Sequence, residues 1–198
     1  MPSRVEIIST EDVFQQSIFR VEAARLRYER YDGQLTEELT RLSLERGESV
    51  AAIIHDPVAD TVVLTEQFRY PTYGGGHGWL LELPAGMIDE DEHPLLAMQR
   101  ELREEVGYDV EKLYHISTFF LSPGGSSERI HLFYARVSDA NHVNGGGGVL
   151  DEGEDIRTLV VPVQRILADI ARGNLVDAKT IIGLQWLHIN RAHLPGAD

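Results

Sequence analysis

The residues best able to do chemistry lie close together, in the stretch Arg100-Glu101-Leu102-Arg103-Glu104-Glu105-Val106-Gly107-Tyr108. Seven residues before it ends the run Gly86-Met87-Ile88-Asp89-Glu90-Asp91-Glu92. Residues 95–106 contain no Gly or Pro, and Pro94 is acceptable in a first turn, so the spacing predicts a helix. At about 3.6 residues per turn, Leu95, Met98, Leu102 and Val106 form one apolar stripe. Glu101, Glu104 and Glu105 fall within an arc of roughly 100° on another face. Like charges at i,i+4 destabilise a bare helix, so Glu101 beside Glu105 calls for a cation. Hard oxygen donors of this kind suit Mg²⁺ or Mn²⁺. Gly86 lets the preceding loop approach closely and presents the Ala85 carbonyl as a further ligand. Arg100, always charged, can lock one glutamate by a bidentate bond. A bare E-x-x-E-E run is more often a solvated acidic face; the rest of the spacing sets this one apart.

The elements around these residues read mostly as strands. Residues 20–31 and 35–46 predict a hairpin turning at Asp32-Gly33. A second hairpin joins 49–55 to 61–70 through Asp56-Pro57. Residues 71–78, Pro-Thr-Tyr-Gly-Gly-Gly-His-Gly, predict a mobile loop, and 79–83 a short strand feeding the acidic helix. Strands at 113–121 and 129–137 flank the loop Ser122-Pro123-Gly124-Gly125-Ser126-Ser127. Glycines at 145–148 and the run Asp151-Glu152-Gly153-Glu154-Asp155 lead to a strand at 156–161. Residues 163–171 predict a helix ended by Gly173, and Asp177 an N-cap for a last helix to about Asn190. Strands segregated from one internal and two late helices indicate an α+β fold. The organisation expected is an N-terminal β-hairpin arm over 1–47 and a main domain over 48–198.

Composition limits the partners. The chain has 198 residues, 42% hydrophobic and 25% charged, ordinary for a globular protein with a real core. A net charge of −14 argues against a nucleic-acid partner. With no cysteine there is neither disulfide, thiolate catalysis nor Cys-ligated metal, which fits a cytoplasmic location. No apolar run approaches membrane-spanning length, and residues 1–10 lack a signal-peptide pattern. The eight histidines show no metal-ligand spacing and read as surface or core residues.

The acidic pattern resembles the Nudix box, G-x5-E-x7-R-E-U-x-E-E-x-G-U with U aliphatic. Every fixed position agrees; only the last U departs, where Tyr108 stands in for an aliphatic core residue. Such proteins hydrolyse a nucleoside diphosphate linked to another group with a divalent metal. The resemblance implies the Nudix fold, mixed β-sheets sandwiched between helices, with Ala85, Glu101, Glu104 and Glu105 as ligands of Mg²⁺ (or Mn²⁺) and Arg100 and Glu104 in the catalytic machinery. Leu121-Ser122-Pro123-Gly124-Gly125-Ser126-Ser127-Glu128 is similar to the segment marking ADP-ribose pyrophosphatases, its proline 16 residues beyond Gly107. Glu45-Arg46-Gly47, Glu66-Gln67-Phe68-Arg69, residues 151–157 and Leu184-Gln185-Trp186-Leu187 are similar to that family too. The function implied is hydrolysis of ADP-ribose to AMP and ribose 5-phosphate by a homodimer whose hairpin reaches the partner's site. GDP-mannose hydrolases share the Ser-Pro-Gly-Gly loop, and glycines 145–148 followed by acidic residues look like theirs as well, so a GDP-mannose or broader nucleoside-diphosphate-sugar hydrolase is the alternative. A Nudix-fold sensor without turnover commonly lacks box residues, and all are present here.

The same resemblance places the general base at Glu152, with Glu154 as the fallback, on a loop whose glycines would let it close as a lid. It matches Arg41 and Arg69 to positions that contact substrate, partly from the neighbouring subunit. Glu128 is placed to accept bonds from terminal ribose hydroxyls, Ser122 either binds a phosphate or caps its turn, and Met87 lines the site beside Gly86. Where some relatives stack an aromatic on adenine, Ile18 stands here with Phe19 adjacent.

Overall fold

A computed structural model describes residues 2–149, 151 and 153–194. The chain divides into two compact units, Met1–Gly47 with Phe120–Arg129, and Glu48–Phe119 with Ile130–Asp198.

The first unit is built on a three-stranded antiparallel sheet, β1 (Val5–Gln16), β2 (Phe19–Tyr28) and β3 (Leu39–Glu45), in that order. The hairpin at Asp32-Gly33 is present: Arg30 N–H bonds the Gln34 carbonyl, and an isolated bridge joins Glu29 to Leu35 before the β2–β3 ladder resumes at Leu26↔Leu39. Strand β1 is an addition to the expected arm. It is exposed along nearly its whole length, so it carries no buried-face alternation to read. Its turn into β2 runs through Ser17-Ile18, with Ser17 at φ 53°, and no Gly or Asn announces it.

The second unit holds a seven-stranded mixed sheet: β4 (Ser49–Asp56), β5 (Thr61–Phe68), β6 (Trp79–Glu82), β7 (Ala85–Met87), β8 (Tyr114–Phe120), β9 (Arg129–Arg136) and β10 (Ile156–Pro162). The main path runs β10-β5-β4-β9-β8, with β6 on β5 and β7 on β4. Central β4 pairs parallel with β9 and antiparallel with β5 and β7. It is covered on both faces, which its unbroken run Val50-Ala51-Ala52-Ile53-Ile54 requires. Ala51, Ile53, Leu64, Leu132 and Tyr134 face one core with Ile166, Leu184 and Leu187 of two late helices, α3 (Val163–Ala171) and α4 (Ala178–Asn190). Val50, Ala52, Ile54 and Phe133 face the other, against Ala97, Met98, Leu102, Val106 and Tyr108. Each such large apolar side chain contributes about 1.5–3 kcal/mol on burial. The architecture is the expected α+β one.

Two local expectations need correction. The loop at 71–78 opens with a helical turn, α1 (Tyr70–Tyr73), with Pro71 in its first turn where no N–H is needed. The acidic helix is α-helical only over α2 (Pro94–Glu101); Leu102–Val106 form a π-turn ending at Gly107 in the left-handed conformation. His93 caps α2 by accepting the Leu95 N–H. Among the described residues no helix is long and apolar enough to cross a membrane.

Candidate active site

Strand β7 brings Ala85, Gly86 and Met87 alongside β4, with Gly86 opposite Val50. The acidic helix lies over it so closely that a Cβ at Gly86 would stand 1.9 Å from the Glu101 carboxyl carbon. Glycine is therefore required here for space. Glu105 accepts the Ala85 N–H at 2.9 Å, which fixes the backbone next to the Ala85 carbonyl. Both carboxylates are buried, Glu101 at 7% and Glu105 at 2% exposure, while Glu104 is half-buried.

Arg100 ties these groups together. Its Nε and Nη2 grip Glu92 in a fork at 3.3 and 3.0 Å, Nη2 also donates to the Met87 carbonyl, and Nη1 reaches Glu101 at 2.7 Å and Glu104 at 3.3 Å. The bidentate partner is thus Glu92, the first glutamate of the motif, rather than a metal-facing one. Arginine serves this better than lysine because one planar fork satisfies several acceptors at once.

Burial pushes the Glu101 carboxyl up to about 7 against the pull of Arg100, with Glu104 and Glu154 adding to the rise. Burial likewise pushes Glu105 up to about 8; the Ala85 N–H opposes this, and the charges of Glu101 and Glu154 reinforce it. Two buried carboxylates that resist ionisation side by side form a hard oxygen donor set suited to a divalent cation, with the Ala85 carbonyl beside them. The residues present fit such an ion. Among the described residues no three acidic or histidine side chains already converge as a cage; internal donors hold them instead.

Glu154 is half-buried, and its charge bears on Glu101 and Glu105; its Oε2 accepts the Val149 N–H at 3.0 Å. Glu152 lies outside the described residues. The guanidinium of Arg69 is engaged by Glu82 at 3.0 and 3.1 Å, so an anion would meet a group already fixed in place. Met87 is half-buried on β7. Arg41, Ser122 and Glu128 belong to the first unit. Arg41 is exposed on β3 and donates to the Thr40 carbonyl. Ser122 is an exposed turn residue whose carbonyl takes the Gly125 and Ser126 N–H groups. Glu128 is buried at 8% exposure, with Arg46 3.6 Å away.

The buried Glu82–Lys179 pair escaped the sequence reading. Lys179 Nζ meets Glu82 at 2.5 Å and Asp177 at 3.1 Å, linking the start of α4 to β6. Burial alone would raise the Glu82 carboxyl, but Lys179 and Arg69 outweigh it and hold it below the ordinary glutamate value. A lysine in the first turn of a helix opposes the macrodipole, and that was the available signal. Arg46 lies beside Glu128 and 5.9 Å above the Phe19 ring.

Residues 45–182 match the NUDIX domain. The chain belongs to that family. It is 37% identical to the ADP-ribose pyrophosphatase of Escherichia coli (strain K12) over 191 residues, 96% of this chain and 90% of that one. It is 40% identical to the GDP-mannose pyrophosphatase of Citrobacter koseri over 146 residues, 73% of this chain and 75% of the relative. A solved structure described as an ADP compounds hydrolase superposes with a TM-score of 0.69 at 22% identity, covering 95% of this chain and 96% of the other, which shows the common fold. The residues that resemble the Nudix box thus coincide with the site where Arg100, Glu101 and Glu105 are gathered.

Proposed function

We propose that this Nudix protein hydrolyses the pyrophosphate bond of ADP-ribose, with water as co-substrate, giving AMP and ribose 5-phosphate. The observation that carries the reading is the buried Glu101–Glu105 pair, Glu101 packed against Gly86 and bonded by Arg100 and Glu105 bonded by the Ala85 N–H. Glu101, Glu105 and the Ala85 carbonyl would hold Mg²⁺, with Glu104 and Glu154 within the same acidic group. When bound, the ion would supply Lewis-acid stabilisation of charge on the pyrophosphate oxygens. Arg100 keeps Glu101 and Glu104 oriented, and Gly86 keeps the space in front of Glu101 open. Glu152 is assigned the proton of the attacking water, with Glu154 as fallback; either needs only a carboxylate within reach of that water.

The substrate follows the E. coli ADP-ribose pyrophosphatase, whose likeness extends over 96% of this chain. A GDP-mannose hydrolase is the second reading, favoured by the 40% identity of the Citrobacter koseri enzyme over the part it matches. We place Arg41, Arg69, Met87, Ser122 and Glu128 at the substrate. We assign the chain to a homodimer in the cytoplasm. The exposed apolar residues Phe14 and Leu42 on one face of the three-stranded sheet, and Val5 and Ile7 on the other, support the dimer, because exposed apolar surface of this kind marks association sites. The absence of cysteine supports the compartment. The test is kcat/KM for ADP-ribose and GDP-mannose with Mg²⁺ and Mn²⁺. An advantage for ADP-ribose is expected; a tenfold advantage for GDP-mannose moves the substrate, and turnover of neither removes the reading.

A further inference from the structure

The turn carrying Glu104 and Glu105 does not leave its carbonyls to solvent. Gly147 N–H donates to the Glu105 carbonyl at 2.9 Å, and Gly148 N–H to the Glu104 carbonyl at 3.0 Å. The Thr158 hydroxyl donates to the Glu105 carbonyl at 3.3 Å. A π-turn shifts the helical bonding by one residue and frees carbonyls that must find other partners when covered. Here the glycine segment supplies them.

Space fixes which glycines matter. A Cβ at Gly146, φ +60°, would lie 2.5 Å from the Glu105 carbonyl oxygen. One at Gly148, φ +79°, would lie 2.8 Å from the Cβ and Oε2 of Glu154. At Gly145 nothing stands within 4 Å, and its φ is not positive. The segment is pinned at both ends. Val143 N–H bonds the Gly107 carbonyl at 2.8 Å, Gly146 N–H bonds Asn144 Oδ1 at 2.8 Å, and Ile156 N–H bonds the Gly147 carbonyl at 3.1 Å. Val149 N–H then holds the Glu154 carboxylate. Composition alone predicts a hinge at 145–148; the hydrogen bonds describe a fastening.

The geometry points to a clamp: Gly146, Gly147 and Gly148 fasten the loop bearing Glu154 to the π-turn bearing Glu104 and Glu105, and so set the separation of the loop and helix carboxylates. These glycines are positioning residues for the hydrolysis, and the inference rests on the Nudix hydrolase reading above. The clamp acts on Glu154 and Glu105 through backbone bonds and close approach alone. Removing it displaces one carboxylate against the other, and a displacement of about 1 Å in such a site costs about a hundredfold in rate.

The experiment compares Gly148→Ala, Gly146→Ala, Gly145→Ala and Thr158→Val with wild type, reading kcat, KM and the Mg²⁺ dependence of kcat, together with amide hydrogen exchange at 147 and 148. Gly148→Ala is expected to lower kcat about a hundredfold and to shift the Mg²⁺ saturation curve to higher concentration, with KM changing less than about threefold. Gly145→Ala matches wild type, Thr158→Val loses a few-fold, and the two amides exchange slowly in wild type. Should Gly146→Ala not fold, Gly148→Ala and Thr158→Val carry the test. Wild-type kcat and Mg²⁺ dependence in Gly148→Ala overturn the clamp, as does an equal loss in Gly145→Ala, which would make loop freedom the cause. If wild type turns over no nucleoside diphosphate, the hydrolase reading fails, and the exchange rates still decide the clamp: fast exchange at 147 and 148 overturns it.

Discussion

The end of the acidic helix and the three-stranded N-terminal sheet solve opposite problems. At the helix end, Arg100 and Ala85 supply donors to the buried carboxylates of Glu101 and Glu105, the first of them against Gly86, while Gly147, Gly148 and Thr158 supply donors to the carbonyls of Glu104 and Glu105. In the sheet, eleven of the twelve residues of β1 are exposed, several of them apolar, and the strand is held by its ladder with β2. A strand so exposed has little besides that ladder to hold it. Disturbing the first region should therefore cost activity or stability directly; disturbing the second should cost association.

The largest effect is expected at the buried carboxylates. Glu105→Gln and Glu101→Gln should each lower kcat on ADP-ribose by about a thousandfold or more, since several kcal/mol of transition-state stabilisation depends on charged ligands. Both variants should fold, and the metal-free protein should melt no lower than wild type, because an ionisable group leaves the interior. Near-normal kcat in both, at saturating Mg²⁺, would erase the contrast between the two regions.

Next comes the Glu82–Lys179 pair behind the site. Lys179→Met leaves Glu82 buried with Arg69 as its remaining partner and should cost about 3 kcal/mol in urea unfolding. Glu82 sits below its ordinary value, so the stability it contributes is present above about pH 4.5 and is lost as pH falls further. A loss within 0.5 kcal/mol, about the size expected of a surface substitution, would show the pair to be dispensable.

Glu101 and Glu105 titrate with the opposite sign. Their carboxyls rise from 4.5 to about 7 and about 8, so the folded metal-free protein holds more protons than the unfolded chain across that window. Its stability from these groups is full below about pH 4.5 and falls as pH rises to about 8. A divalent ion needs them ionised, so the rise in melting temperature on adding Mg²⁺ should grow between pH 6 and 8.5. A Mg²⁺ effect that is flat with pH would place the ion elsewhere.

The smallest effect on the folded chain is expected in the exposed sheet. Phe14→Ser with Leu42→Ser, on one face of the sheet, should alter the stability of the isolated chain by about 0.5 kcal/mol or less, yet reduce the light-scattering mass from twice 22.2 kDa towards one chain. An unchanged dimer would move the interface off this sheet, and a fully active wild-type monomer would remove it.

Legibility in the sequence followed the same divide. The stretch from Gly86 to Gly107 was readable because its residues match the Nudix box, and the structure gives that spacing its reasons: room before Glu101, a guanidinium near several carboxylates, a left-handed residue after Val106. The buried β4 run and the Asp177 cap were readable from local pattern. The π-turn was not, since Leu102-Arg103-Glu104-Glu105-Val106 are ordinary helix formers and the partners of their carbonyls lie about forty residues later. Glycines 145–148 had the composition of a hinge, and only close approach to Glu105 distinguishes a fastening. Strand β1 lacked both alternation and a turn signature. The role of Lys179 was hidden because its partner Glu82 lies 97 residues away in the chain.

The most direct test of the central claim, that the buried Glu101–Glu105 pair is the divalent-metal site, is calorimetric titration of Mn²⁺ into the chain at pH 8, wild type against Glu105→Gln. The account predicts saturable binding with proton release in wild type, and at least about tenfold weaker binding with less proton release in the variant. Equal affinity and equal proton release in the two proteins would contradict it.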